Sequence, residues 1–452
     1  MVLDVRNTNQ EEEMNNVQAF QGTRYNDELF KDIGGLITPP YDVIHEDLQE
    51  RFYQEHPYNF IRLCLGKTLP EDTPIDNRYV RANQYLASWL HQNILSVDPG
   101  PGFYAYRQRF QVKDKTYSRF GIIALLEVQP FESGKILAHE RTFSGPIEDR
   151  LLLMKETQSD LEPIFLLYND SEKKSDELIL PFLDRKNVVQ SARDLENNEN
   201  ELGIIDEPEA ISALQNILNE KMFYIADGHH RYTTALQYAQ EEGSKIPGAK
   251  YVMAYLVNTY NEGMVILPTH RFLKKEIPFD LQALLPQIQE YFEVEKAGQI
   301  PSARAVEDNL RLKGEKVPSL AVLSGGELYY LTLRENADWK EWSEPGISED
   351  RAMLDVSILH SLLIEKIGGL NIGEKEMKKV IDYERLIEKG LVNADNYSAC
   401  FFMNPTKMEQ VINIAGNRER MPQKSTFFYP KINDGIVFYS FQNAPGTENN
   451  IL

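Results

Sequence analysis

Apolar positions along the chain fall into short runs and helical stripes. Residues 1–16 are polar and acidic and are expected to form a disordered tail, with folded sequence starting near Val17. The segment Thr38-Pro39-Pro40-Tyr41-Asp42 predicts a rigid turn, because two prolines fix φ. His45–Glu55 has helical spacing, which makes Asp42 a candidate N-cap. A second helix is predicted over Arg78–Leu90. Phe103–Val112 and Thr116–Val128 are aromatic and β-branched runs joined by Lys113-Asp114-Lys115, a hairpin pattern. A helix over Glu148–Gln158 and a strand over Pro163–Tyr168 follow. Residues 169–203 are charged and Asn-rich, and their second half is expected to be a loop or linker.

The middle of the chain alternates more sharply. Met222–Ala226 has strand length, Asp227–Arg231 reads as a turn, and Tyr232–Glu242 carries Ala235, Leu236 and Ala239 on one helical face. Gly243 is a C-terminal stop signal. Strands are predicted over Tyr251–Val257 and Met264–Pro268. From about Phe279 helices and hairpins alternate. Ser324-Gly325-Gly326 between Leu320–Leu323 and Leu328–Leu333 predicts a tight hairpin. Asp355 is placed to cap an apolar helix over Val356–Ile367. The pattern predicts an α/β chain with mixed α+β sheets. Its expected regions are the tail, an N-terminal α+β region over 17–205, a central strand-turn-helix-strand unit over 206–275, and a C-terminal α+β region over 276–452.

The length of 452 residues supports more than one core. No stretch reaches the roughly 18 apolar residues of a membrane helix. The N-terminus lacks a basic and an apolar region and is not expected to be a signal peptide. The two cysteines, Cys64 and Cys400, are far apart and form no disulfide framework, which fits a reducing cytoplasm. The net charge of −21 argues against nucleic acid and anionic lipid as partners.

Candidate chemistry concentrates in Asp227-Gly228-His229-His230-Arg231. A strand-to-helix turn presents backbone amides at the positive end of a helix dipole, which suits an anion. Gly228 permits close approach or φ above zero. Arg231 can hold two phosphate oxygens through its planar fork. His229 and His230 add donors tunable near neutral pH. Asp227 can orient a histidine or bind a magnesium ion accompanying a nucleotide. A catalytic metal site with three protein ligands would need ligands from elsewhere, since adjacent histidines diverge.

Other clusters are weaker signals. His139-Glu140-Arg141-Thr142 can supply a base or form a salt-bridged turn. Asp42 can cap a helix or act as a general base. Arg150 and Lys155 lie on an amphipathic helix, where solvation is the plainer reading. Lys424-Ser425-Thr426 and Lys431 lie in a basic stretch able to touch phosphate. Cys64, in the apolar run Ile61–Leu65, reads as core.

These residues make the chain recognisable. PPYDVI (39–44), HPYNFIRL (56–63), FYAYRQRF (103–110), HERT (139–142), DRLLLMKETQSDLEPIFLLY (149–168), MFYIADGHHRYTTAL (222–236), FFMNPTKMEQV (401–411) and MPQKSTFFYPK (421–431) resemble a bacterial and archaeal domain-of-unknown-function family, numbered 1015. The resemblance runs from about Val17 to about Tyr439, and the family name implies no activity. The IADGHHR turn also resembles, over a short span, the nucleotide-binding turn of the ParB–sulfiredoxin superfamily, whose free-serine kinases carry the same Asp-Gly-His-His-Arg string. That likeness implies a ParB/sulfiredoxin-like central unit and a phosphotransferase. Asp227, Gly228, His229, His230 and Arg231 would hold a nucleotide (ATP or ADP) or pyrophosphate with Mg2+ on Asp227. His230 would face phosphate oxygens, and the small-molecule acceptor would be free L-serine. Asp42 and Glu140 are the candidate bases. The chain is longer than a minimal ParB-like domain, shows no helix-turn-helix and is strongly acidic, so a chromosome-partition role is not expected. Two alternatives stay open: a nucleotide-binding regulatory protein without turnover, and a metal-dependent phosphoesterase.

Overall fold

The computed structural model describes residues 16–445. All of the expected tail except Asn16 lies outside them. The chain folds into two compact units. The first takes residues up to Ile136, Thr142–Gly263 and the segment from Pro430 onward; the second takes Leu137–Arg141 and Met264–Tyr429.

The first unit is built on a mixed sheet. In chain order its strands are β1 (Val17–Gln18), β2 (Phe103–Val112), β3 (Lys115–Glu127), β4 (Ile164–Tyr168), β5 (Val188–Arg193), β6 (Glu199–Ile205), β7 (Phe223–Asp227) and β8 (Tyr251–Asn258). Across the sheet the order is β7-β4-β8-β3-β2-β6-β5, with β1 beside β3. β4 and β8 pair in parallel, and the other neighbours are antiparallel. β4 (IFLLY) is buried along its whole length, the mark of a strand covered on both faces. Helices α1 (Glu46–Glu55), α2 (Arg78–His91), α3 (Ser144–Thr157), α4 (Pro208–Asn219) and α5 (His229–Glu242) surround the sheet, and α3 packs on both α2 and α5.

Three expectations are corrected in this unit. The N-cap of α1 is His45, whose Nδ1 accepts the Leu48 amide at 3.3 Å, while Asp42 sits in a separate 3-10 turn, Tyr41–Val43. The double proline ends one turn before the helix begins, so the cap moves three residues on. The stretch read as a linker is instead the β5–β6 hairpin. Its Asp and Asn residues build the loop: Asp194 Oδ1 accepts the Glu196 and Asn198 amides, and Asn197 takes φ 63°. Its charges pair across strands, Arg107 and Arg109 with Glu201 and Arg193 with Glu199. Finally, α5 begins at His229 rather than Tyr232, so three residues of the supposed turn form the first turn of a helix.

The second unit holds a six-stranded antiparallel sheet: β9 (His270–Lys274), β10 (Phe292–Lys296), β11 (Ser319–Ser324), β12 (Glu327–Leu333), β13 (Ile381–Glu384) and β14 (Tyr397–Met403), in the order β10-β12-β11-β14-β9-β13. The β11–β12 turn uses Gly325 at φ 58° and Gly326 at φ 78°, as a tight hairpin demands. Helix α6 (Ala303–Lys313) buries Ala303, Val306 and Leu310 against Phe272, Leu323 and Phe402, and Ser302 caps it through the Ala305 amide. The strand expected over Met264–Pro268 shortens to Val265–Ile266, paired with Phe428–Tyr429. Asp355 is not a cap: Leu354 occupies that position without a side-chain bond, and the Asp355 carboxyl meets Asn404 instead. The expected helix is a short α-turn, Asp355–Ser357, that widens into a π-helix over Ile358–Ile367. No helix among the described residues is long and apolar enough to cross a membrane.

Candidate functional site

β7 enters α5 through Gly228, whose φ of 91° and ψ of 29° are left-handed. A Cβ there would lie 3.0 Å from Ile164 Cγ2 and 3.1 Å from Arg231 Nε, so both conformation and space call for glycine. The β7–β4 register slips between Ile225 and Asp227, a bulge that re-aims the strand end. The N-cap of α5 is Gly228, which has no side chain, so the strand enters the head of the helix on bare backbone, the kind of turn that draws anions.

Side chains around this junction form a charged knot. Asp227 Oδ2 accepts Arg231 NH2 at 2.8 Å, and Asp227 Oδ1 pairs with Lys431 Nζ. The second Arg231 nitrogen donates to the Pro163 carbonyl at 2.6 Å, fastening the helix to the start of β4. Burial works against the Arg231 charge, but neighbouring acidic groups, Asp227 first, outweigh it and hold the guanidinium protonated. Arg231 thus points inward with its fork in use, and Lys431 meets the other Asp227 oxygen at the junction.

His229 is buried, and its carbonyl accepts Thr233 Oγ1. His230 is half-buried against the Phe143 ring, and its Nε2 accepts the Phe143 amide at 3.0 Å. An accepting Nε2 places the proton of the neutral ring on Nδ1.

Asp42 belongs to the same unit and is exposed in its turn, with its charge among those that act on Arg231. Two contacts fix that turn. Tyr41 lies under the Arg150 guanidinium at 4.3 Å, and Thr38 exchanges both backbone hydrogen bonds with Asp434 at 3.1 and 2.7 Å. Burial pushes the Tyr41 hydroxyl up to about 12, so it remains a proton donor at neutral pH. Glu140 stands in the second unit, where Oε1 faces the Lys424 amide at 3.4 Å; His139 beside it is buried with Nε2 3.0 Å from Thr426 Oγ1.

Behind the junction lies a cluster that the sequence pattern did not reveal. Arg150, expected to be solvated, is buried: it donates to Glu162 and to the Cys64 carbonyl at 2.8 and 2.7 Å and chelates Asp149. Lys155 is the exposed member of that pair, bridged to Glu241. Asp434 is fully buried against the Glu162 carboxyl. Burial, then the neighbouring Glu162 carboxylate, push Asp434 far up, since two carboxylates away from water cannot both ionise. Asp160, also buried, is pushed up to about 7 although Oδ2 accepts the Met253 amide at 2.7 Å. A cavity of about 20 Å³ among Arg150, Asp160, Glu162 and Arg231 has room for one water.

The donor set does not fit a protein-held metal. Both Asp227 oxygens are on cations, and among the described residues no three His, Cys, Asp or Glu side chains converge on a metal position.

The sequence model of a family described as "Protein of unknown function (DUF1015)" matches residues 17–357, most of the chain. The chain belongs to the DUF1015 family. No curated protein matches this family member. Its fold is similar to a free serine kinase variant in complex with ADP, at 14% identity and TM-score 0.33, covering 67% of this chain and 89% of that one. It is also similar to a conserved hypothetical protein from Pyrococcus furiosus, at 13% identity and TM-score 0.31, over 69% and 94% of the two chains. SbnI with a C-terminal truncation, from Staphylococcus aureus, gives 10% identity and TM-score 0.34, over 72% and 90%. Likeness at these scores says nothing about the chemistry of this family member.

Proposed function

We propose that the chain is a phosphotransferase that binds a nucleotide (ATP or ADP) or pyrophosphate at the β7–α5 junction and phosphorylates a small hydroxyl metabolite, with free L-serine as the first acceptor to test. The observation that carries the reading is the strand-to-helix turn through a left-handed glycine, with Lys431 and the Arg231–Asp227 pair beside it. Phosphoryl transfer needs positioning and charge neutralisation more than covalent chemistry, and these groups suit that task. The choice of serine rests on the Asp-Gly-His-His-Arg string shared with free-serine kinases.

In this reading the serine Oγ forms the new bond to the terminal phosphorus. The bond from phosphorus to the bridging oxygen breaks, and that oxygen keeps the electron pair. Asp42 takes the hydroxyl proton, since it is exposed, in the same unit as the junction and electrically linked to Arg231. His230, neutral and donating through Nδ1, would face phosphate oxygens.

Phosphoserine formation, followed by mass spectrometry with ATP, ADP and pyrophosphate in magnesium buffer, tests this. Wild type should form product. Asp42→Asn should lose about 10²- to 10⁴-fold in turnover with nucleotide binding kept, and Glu140→Gln should keep turnover. The engagement of Arg231 with Asp227 and Pro163 favours one competing reading, a binding module whose knot opens without turnover. Nucleotide binding without product from any donor would establish that module and overturn the enzyme.

A further inference from the structure

A cavity of about 350 Å³ lies wholly within the second unit, with Trp342, Glu344, Arg351, His360, Glu365 and Gln423 among its lining residues. That volume is in the range of small-molecule sites. The π-helix Ile358–Ile367 supplies His360 and Glu365 to its wall, and such widened helices recur at functional positions.

The cavity holds two buried polar groups that the protein leaves unanswered, with charged groups at its mouth. His360 is 7% exposed and Gln423 9% exposed; His360 Nδ1 and Gln423 Nε2 make no hydrogen bond. Buried polar atoms without partners are costly and uncommon. Burial and then Arg271 lower His360 to about 3, so its ring is neutral. Among the described residues Arg351 has no carboxylate partner, and neither Glu344 nor Glu365 has a cation. Glu344 and Glu365 stand at the exposed mouth of the cavity, and partial burial and the Glu344 charge raise Glu365.

One cavity thus offers the Arg351 guanidinium without a carboxylate partner, Arg141 also on its wall, two exposed carboxylates without a cation, buried neutral hydrogen-bonding groups and Trp342. A ligand of one sign would answer only half of this. We propose that the second unit binds a small zwitterion of the amino-acid class. Its carboxylate sits on Arg351, its ammonium between Glu344 and Glu365, and its side chain against Trp342. The inference stands apart from the phosphotransferase reading.

Calorimetry on the full chain with L-alanine, L-valine and L-methionine tests it, because these probes carry no hydroxyl to phosphorylate. At least one should bind with one-to-one stoichiometry, and its analogues lacking the amine or the carboxylate should bind at least about tenfold more weakly. Arg351→Ala and the isosteric Glu365→Gln should each weaken binding at least about tenfold with melting temperature unchanged. Absence of binding by all three probes, equal binding by Glu365→Gln, or equal binding by an analogue without the amine would overturn the proposal.

Discussion

Asp160 sits behind the junction with Oδ2 on the Met253 amide, and burial, with a smaller push from Glu162, raises its carboxyl from 3.8 to about 7. Below about pH 4 the group is protonated whether the chain is folded or not. Between about pH 4 and 7 the unfolded chain releases the proton and the folded one keeps it, so stability falls as pH rises across that window and the loss is complete above it. Asp160→Asn keeps an acceptor for Met253 and removes the titration. Its melting temperature should therefore rise relative to wild type from pH 4 to 7, and parallel curves would contradict the assignment. At this scale the sequence showed the residues whose types are rare in combination, Asp227 to Arg231, and the Lys431 stretch. It did not show Glu162 or Asp434, because an isolated acid beside a proline or a glycine reads as a turn. Their meaning comes from burial against Arg150 and Arg231, which no local pattern encodes.

The element that organises the candidate site is the strand–glycine–helix unit β7–α5. Gly228→Ala would force a Cβ into left-handed backbone against Ile164 and Arg231. A loss of about 2 kcal/mol in unfolding free energy is expected by chemical denaturation, and an unchanged midpoint would show the junction to be less constrained than its geometry implies. The hairpins, α1, α2 and β4 were legible from periodicity and turn chemistry. The β5–β6 hairpin was not, since its charged strands pair with Arg107 and Arg109 on β2 rather than with an apolar face. The start of α5 was three residues early because His-His-Arg has weak intrinsic preference, and Gly228 together with the Arg231 contacts decides the boundary.

On the scale of the whole molecule, an anionic ligand must be held against a charge of −21, and at the junction the first unit sets Lys431 and Arg231 on either oxygen of Asp227 beside the head of α5. Removing Arg231 would be a poor probe, since Asp227 and the Pro163 carbonyl would lose a buried partner at a cost of about 3–5 kcal/mol. Lys431 can be removed while Asp227 keeps Arg231. The most direct measurement is therefore a calorimetric titration of wild type and Lys431→Ala with ATP, ADP and pyrophosphate in magnesium buffer. The account predicts that at least one of them binds wild type and that Lys431→Ala, folded with a similar melting temperature, binds it at least about tenfold more weakly. Binding of none of the three, or equal binding by the variant, would contradict it.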